Sequence, residues 1–253
     1  IYNIGLIPIA AGILYPIFSN GDVPYLLKFA LGEFGFLNPM LAAMAMALSS
    51  ITILILFYVG NKIVNFENNS NVFLGISAKS WFVFSMMTPL LHQGYVWLCW
   101  RSELCWKTIS QTIGFKPYAV IMIIIGILRL SGIGLSFADY GSWFTPGWIA
   151  WSTSMLFFIP FIYTIYSIKK YFGFMRATGI DHFDPSYKDK PFERRGIFKW
   201  SSNAMYTLAI PVFFSFAFSS GSKAMFIFAA YSFIGVWLHY FCTEKEDFKV
   251  IYG

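Results

Sequence analysis

Charged side chains are scarce in this chain of 253 residues. Asp, Glu, Lys and Arg together make up only 12% of it, whereas 57% of the residues are hydrophobic and 21% are aromatic. A soluble domain has about 25% charged residues, so this composition excludes an ordinary water-soluble globule. It also excludes intrinsic disorder, which requires low hydrophobicity. With a mean hydropathy of +0.61, the chain is predicted to be an integral membrane protein.

Cysteines are few as well, and the usual nucleotide and metal motifs are missing. Cys99, Cys105 and Cys242 lie in or beside apolar stretches without metal-ligand spacing, so we interpret them as small buried residues and expect no metal site. The chain has no Walker-type phosphate loop, no GxGxxG motif after a strand and no HExxH motif. Gly132 and Gly134 lie inside an apolar stretch, which favours close helix packing over cofactor binding.

Long apolar segments are present instead. About 20 apolar residues are enough for a helix to cross the hydrocarbon core of a bilayer. The sequence has seven apolar segments, at 1–18, 37–59, 81–100, 117–137, 148–168, 205–219 and 224–242. They predict an all-α polytopic membrane protein with seven or eight transmembrane helices. Because only a short polar turn separates the last two segments, we expect them to form a C-terminal helical hairpin.

Positive charge is concentrated in one stretch between predicted spans. The net charge is +6, and eight Lys and Arg residues lie between positions 169 and 199. By the positive-inside rule this stretch lies in the cytoplasm, and alternating spans place residues 243–253 on the same side. A basic excess of this kind indicates topology, so we expect no nucleic-acid partner. We divide the chain into transmembrane helices at 1–168 and a C-terminal unit at 169–253.

The two ends of the predicted hairpin carry a recognisable pattern. Residues 195–206 (RGIFKWSSNAMY) precede it, and residues 239–248 (HYFCTEKEDF) follow it. Over about residues 170–253 the chain resembles the integral-membrane methyltransferases, which include phospholipid and isoprenylcysteine methyltransferases. In that family a G-x-Y-R-Y-x-R-H-P-x-Y element precedes a hairpin and an acidic E-E element follows it. Ser202, Asn203 and Ala204 stand where the family has R-H-P, and the chain is most similar to the phosphatidylethanolamine N-methyltransferase branch.

The resemblance implies a methyl donor, S-adenosylmethionine, in a cofactor pocket on the cytoplasmic side. This donor carries a carboxylate, an ammonium, a sulfonium, a ribose diol and an adenine, which suit hydrogen-bond donors, carboxylates and aromatic rings. Both ends of a hairpin return to one face, so residues from both ends can meet there. The resemblance and the hairpin geometry together imply that the cofactor-binding residues are Gly196, Asn203, Tyr206, His239, Glu244 and Glu246. The implied acceptor is a membrane lipid, the amine headgroup of phosphatidylethanolamine.

A phospholipid amine is protonated at neutral pH, so a base or a water path must remove a proton before it can attack. His182, His239 and Glu246 are the catalytic candidates. Plainer interpretations stay open, because Tyr206 suits an interfacial aromatic belt, His239 a packing role and the acidic residues a solvated helix end.

Arg129 lies in the middle of an apolar segment, where a charge costs about 2.5 to 3.5 kcal/mol, so we expect it to face the bundle and have a partner. Asp139 lies ten residues after Arg129 in the sequence, so it is badly placed to pair directly with Arg129. A lipid phosphate, a backbone carbonyl and the surroundings of His92 all stay open as that partner.

Other functions also fit the sequence. An isoprenylcysteine-type enzyme would act on another lipophilic substrate, and a sterol or isoprenoid reductase would bind a nicotinamide dinucleotide. A small transporter would use Arg129 and His92 as part of a pathway. The sequence leaves the oligomeric state open.

Overall fold

The computed structural model describes residues 71–252 together with positions 54, 58, 60, 62–64 and 66. The predicted span at 1–18 and nearly all of that at 37–59 lie outside these residues. The described part is mostly helical, as predicted. It also contains a short antiparallel hairpin of β1 (Val72–Phe73) and β2 (Ile76–Ser77).

Helices account for most of the remaining structure. In chain order they are α1 (Ala78–Trp106), α2 (Thr108–Thr112), α3 (Phe115–Leu128), α4 (Ser131–Ala138), α5 (Trp148–Ser167), α6 (Phe174–Ala177), α7 (Val212–Ser220), α8 (Lys223–His239) and α9 (Lys245–Tyr252). Three π-helical turns extend the ends of longer helices, at Ile168–Phe172, Met205–Ala209 and Tyr240–Glu244. Three short 3-10 turns lie at Ile180–His182, Pro185–Tyr187 and Gly196–Lys199.

Two of the described helical runs are long and apolar enough to cross a membrane. Phe115–Ala138 has 24 residues and Trp148–Phe172 has 25, and they coincide with the predicted segments 117–137 and 148–168. Segments 205–219 and 224–242 correspond to apolar helices with fewer than 18 residues, while segment 81–100 lies within α1. The count of seven or eight spans therefore stays a prediction.

The main hydrophobic core lies where α1, α4, α7 and α8 meet. Phe82, Leu135, Phe213 and Phe228, one from each helix, are at most 5% exposed. Because these side chains come from distant parts of the chain, this core fixes the hairpin against the earlier helices.

The glycines of α4 allow this close packing. A Cβ atom at Gly132 would lie 2.7 Å from the Phe228 ring, and one at Gly134 would lie 2.7 Å from Trp81. The packing interpretation of Gly132 and Gly134 is therefore confirmed. Cys99 is buried and free, as expected, whereas the side chains of Cys105 and Cys242 lie outside the described part.

The C-terminal hairpin of α7 and α8 is present, as predicted. At its turn, Asp139 Oδ2 accepts hydrogen bonds from Ser222 Oγ at 2.7 Å and from the backbone N–H of Ala224 at 3.0 Å. Ser222 caps α8. A carboxylate at a helix N-terminus is stabilised by the helix dipole, so Asp139 ties the end of α4 to the start of α8.

Candidate functional site

A cluster of buried polar side chains lies at the end of the hairpin opposite its turn. It contains Trp100, Arg101, Asp181, His182, Tyr206, Glu244 and Asp247, which we call the polar cluster. All of them except the partly buried Tyr206 are 9% exposed or less. They come from α1, from the 3-10 turn at Ile180–His182, from two π-helical turns and from α9. Charged groups are costly to bury without partners, so their pairing determines what the cluster can do.

The pair of Tyr206 and Glu244 joins the two ends of the hairpin. The Tyr206 hydroxyl donates a hydrogen bond to Glu244 Oε2. Each residue lies in a π-helical turn, one just before α7 and the other just after α8. Turns of this type occur frequently at functional sites. The two ends of the sequence motif therefore meet, as expected from the hairpin.

Burial changes the acidity of Glu244. Removal from water raises its pKa to about 7, and the nearby carboxylates of Asp247 and Asp181 act in the same direction, while the hydrogen bond from Tyr206 opposes them. A carboxyl group with this pKa is divided between its neutral and ionised forms near neutral pH. A cationic ligand at this position would favour the ionised form.

Asp247 is the centre of the charged part of the cluster. It is fully buried, with Oδ1 at 3.1 Å from Arg101 Nη2 and Oδ2 at 3.4 Å from His182 Nε2. Two partners on different elements thus compensate one buried carboxylate. Neither Arg101 nor Asp247 was among the site residues predicted from the sequence.

His182 is held firmly from several sides. Its ring stacks on Trp100 with the ring centroids 4.0 Å apart, and its Nδ1 lies 3.3 Å from the backbone oxygen of Gly179. Its Nε2 faces Asp247, so both ring nitrogens face acceptors. This geometry favours a positioning role for His182, and its predicted catalytic role stays a prediction.

His239 also lies beside Trp100. It is the last residue of α8, and its ring centroid is 5.7 Å from that of Trp100. It interacts electrostatically with Asp247 and His182, so it belongs to the edge of the polar cluster. Its predicted catalytic and cofactor-binding roles stay predictions. The side chain of Glu246 lies outside the described part, and its two predicted roles stay predictions.

Asn203 begins a helical turn with its backbone, and Gly196 packs against α5, while their predicted cofactor-binding roles stay predictions. The backbone oxygen of Asn203 accepts hydrogen bonds from the N–H groups of Tyr206 and Thr207 at 3.0 and 2.9 Å, which begins the π-helical turn. Gly196 has φ +60°, and a Cβ atom there would lie 2.6 Å from Ser167 Oγ. Gly196 thus packs against the end of α5. None of the contacts found for it involves a member of the polar cluster.

The C-terminal helix is fastened to the segment after α5. Arg176 binds Asp181 at 3.1 Å and the Tyr252 hydroxyl at 3.1 Å, and this hydroxyl also donates to Asp181 Oδ2. Burial and the hydrogen bond to Asp181 raise the pKa of Tyr252 to about 12. We call the contact of Arg176, Asp181 and Tyr252 the C-terminal clasp. It holds α9 against the edge of the polar cluster.

One carboxylate oxygen of the cluster has no partner among the described residues. Within residues 71–252, Asp181 Oδ1 is buried and has no hydrogen-bond partner. Buried groups of this kind usually require a partner. Carboxylates beside aromatic rings suit a cationic ligand. In the part of the chain that the structure describes, no group of three or more His, Cys, Asp or Glu side chains is placed to hold a metal ion.

The polar cluster was only partly predictable from the sequence. Tyr206 and Glu244 follow from the motif spacing, whereas Arg101 looks like a topology-determining charge at the end of an apolar segment. Asp247 looks like part of a solvated helix end. The one available signal was helical spacing, because Asp247 lies three residues after Glu244 and such residues share a helix face.

Comparisons with known proteins give no relative for this chain. No family model matches it, and searches among curated proteins and solved structures found no significant match.

Proposed function

We propose that this protein transfers a methyl group from S-adenosylmethionine to the amine headgroup of a membrane phospholipid, phosphatidylethanolamine being the preferred acceptor. The observation that carries the proposal is the hydrogen-bonded pair of Tyr206 and Glu244. These residues lie on opposite sides of the hairpin in the sequence motif, and their side chains are directly hydrogen-bonded.

The residues of the polar cluster fit the chemical groups of this donor. The carboxylates of Glu244, Asp247 and Asp181 suit its ammonium, its sulfonium and its ribose hydroxyls. The ring of Trp100 suits the adenine or the sulfonium. When bound, the donor supplies an electrophilic methyl carbon, and Asp181 Oδ1, which has no hydrogen-bond partner among the described residues, can accept a hydrogen bond from it.

The chain's own residues need to do little chemistry. Methyl transfer is an in-line displacement, so fixed positions of donor and acceptor account for most of the rate increase. The contacts of Asp247 with Arg101 and His182, together with the C-terminal clasp, hold the elements of the cluster together. His239, beside Trp100, accepts the proton that the lipid ammonium must lose before its nitrogen can attack.

The proposal also includes a multi-pass arrangement with this site on the cytoplasmic side. Its support is the apolar surface of α5, where Trp148 and Leu156 are 78% and 71% exposed, together with the basic residues between 169 and 199. A large exposed apolar face is costly in water and favourable in lipid. Lipid substrate would reach the cluster laterally between helices, and the donor would enter from the cytoplasm.

Calorimetric titration of the purified protein with S-adenosylmethionine and with its demethylated product tests the donor part of the proposal. Tyr206→Phe removes the hydroxyl that holds Glu244, and we expect it to weaken donor binding by about tenfold. The matched control is Tyr163→Phe, because Tyr163 is 42% exposed on α5, and it should bind like the unchanged protein.

Absence of binding heat for both compounds in the folded protein would refute the proposal. A titration with a nicotinamide dinucleotide phosphate, run in parallel, would identify a reductase instead.

A further inference from the structure

Arg129 lies at a break within the long apolar run Phe115–Ala138. The helix ends at Leu128 and begins again at Ser131, and the intervening turn is made of short-range hydrogen bonds such as Leu130 N–H to Ile127 O at 2.8 Å. Broken helices inside membrane proteins frequently form ligand sites. Arg129 is only 6% exposed at this break.

The guanidinium of Arg129 has unused donors. Its Nε and Nη2 atoms are buried and have no hydrogen-bond partner among the described residues. The Phe213 ring lies 5.7 Å from its Cζ atom. Within residues 71–252 no carboxylate forms an ion pair with it. A buried cation without an anion is strongly destabilising, so this position requires an anionic partner.

Tyr231 adds a second unused donor. It is 2% exposed, its hydroxyl has no hydrogen-bond partner among the described residues, and it interacts electrostatically with Arg129. Arg129 interacts in the same way with Tyr206. Arg129 lies beside Phe213 of α7, and Tyr231 lies on α8, so both donors belong to the region of the hairpin.

We propose that Arg129, with Tyr231, binds the phosphodiester group of a phospholipid that has entered the helix bundle. The planar fork of an arginine matches two phosphate oxygens, and the Tyr231 hydroxyl can donate to a third acceptor. The inference rests on the proposed function for what lies beyond the phosphate. In phosphatidylethanolamine a two-carbon linker separates phosphate and amine, and under the proposed function this amine would point towards Tyr206 and Glu244.

The test measures lipid binding in the absence of a methyl donor. Delipidated full-length protein in detergent is titrated with phosphatidylethanolamine, with phosphatidylcholine and with diacylglycerol of the same acyl chains, and bound lipid is counted by native mass spectrometry. We expect both phospholipids to bind about thirtyfold more tightly than diacylglycerol, because a buried charge pair is lost when the phosphate is missing.

Substitutions assign this preference to Arg129. Arg129→Gln should abolish it, and Arg129→Lys should keep part of it, because lysine retains the charge but not the fork. Lys116→Gln is the matched control, since Lys116 is an exposed cation on the same helix, and it should behave like the unchanged protein. Equal phospholipid preference in Arg129→Gln and the unchanged protein would overturn the inference.

Two further results would also overturn it. Inorganic phosphate that displaces the lipid at comparable concentration would indicate a site for a soluble anion. Equal binding of phospholipid and diacylglycerol to the unchanged protein would point to an internal partner for Arg129, such as Asp22, Glu33 or Glu67. The comparison of phospholipid with diacylglycerol needs no variant, so it can overturn the inference even if Arg129→Gln does not fold.

The outcome is separable from that of the proposed function. Phosphate-selective lipid binding through Arg129 without any response to S-adenosylmethionine would refute the methyltransferase proposal and leave this inference standing. Donor binding without phosphate selectivity would support the methyltransferase proposal and overturn this inference.

Discussion

Glu244 is a buried acid in contact with a phenol and close to two other carboxylates. Its raised pKa follows from the loss of water around it, because burial in a medium of low dielectric constant penalises the charged form. An acid held in this way responds to pH and to cations in a range that a cell can reach. Substitution of Glu244 is therefore the most specific test of how the polar cluster responds to pH.

Replacing Glu244 with Gln should change the pH dependence of stability. The pKa of Glu244 is raised from 4.5 in the unfolded chain to about 7 in the folded protein. Below 4.5 both states are protonated. Between these two values only the unfolded chain ionises, so the free energy of unfolding falls as pH rises, by about 3 kcal/mol in all.

Glu244→Gln should lack this fall, whereas Asp189→Asn, which changes an exposed acid, should retain it. Urea unfolding in detergent between pH 4.5 and 8 provides the comparison. Parallel pH profiles for Glu244→Gln and the unchanged protein would contradict the assignment.

Asp247 should contribute strongly to stability. Asp247→Asn leaves the guanidinium of Arg101 and the ring of His182 facing a neutral amide, so we expect a loss of about 3 to 5 kcal/mol in the free energy of unfolding. The same measurement on Asp189→Asn serves as the control. A loss below about 0.5 kcal/mol, typical of surface substitutions, would show that the ion pairs around Asp247 are not important.

The sequence predicts only part of this residue-scale picture. Tyr206 and Glu244 lie at recognisable positions of a motif, and hairpin geometry is enough to bring them together. The pairing of Arg101 with Asp247 joins residues far apart in the chain, and it depends on how α1 packs against α9. Charge alone does not reveal such pairing, because a lone Arg after an apolar segment has the same appearance when it only sets topology.

At the scale of elements, the hairpin depends on its turn. Gly221 joins α7 and α8 with φ +61°, and a Cβ atom there would lie 2.0 Å from the backbone oxygen of Phe144. Both the left-handed conformation and the close backbone approach favour glycine. The turn thus fixes α7 and α8 against the loop that follows α4.

Gly221→Ala should destabilise the protein by about 1 to 3 kcal/mol, because the backbone must be strained or the loop displaced. Gly94→Ala is the matched control. Gly94 lies within α1, where a Cβ atom would meet nothing within 4 Å, so alanine should stabilise the helix by about 0.5 to 1 kcal/mol. Thermal unfolding of both variants gives the comparison, and effects of the same sign would contradict the expected role of the turn.

The C-terminal clasp should control the mobility of α9. Tyr252→Phe removes the hydroxyl that binds both Asp181 and Arg176, and the lost hydrogen bonds should weaken the local contact by about 1 to 3 kcal/mol. Hydrogen exchange of α9 should then become faster by about tenfold or more. Tyr163→Phe should leave it unchanged, and unaltered exchange in Tyr252→Phe would show that the clasp does not hold the helix.

The sequence predicts a helix correctly where one physical property dominates the segment. Apolar length predicts the helical runs Phe115–Ala138 and Trp148–Phe172 within a few residues. It does not predict the break of the first run at Arg129, nor the π-helical turns at both ends of the hairpin. These depend on local hydrogen bonding and on tertiary contacts, which leave no periodic signal in the sequence.

At the scale of the whole molecule, the main feature is the uneven distribution of charged and polar side chains. The two long helical runs present apolar side chains outwards, while charged groups gather in the polar cluster and in the segment after α5. In lipid this arrangement removes the cost of the exposed apolar surface. It also leaves a sheltered cluster of buried polar side chains.

The most direct test of the proposed function follows the methyl group itself. Purified protein in phosphatidylethanolamine vesicles is incubated with S-adenosylmethionine that carries an isotopically labelled methyl group, and the lipids are analysed by mass spectrometry. We expect the headgroup mass to increase by one labelled methyl, with one equivalent of demethylated donor formed, and we expect Glu244→Gln to lose most of this activity. Unlabelled lipid after incubation with folded protein would contradict the proposal.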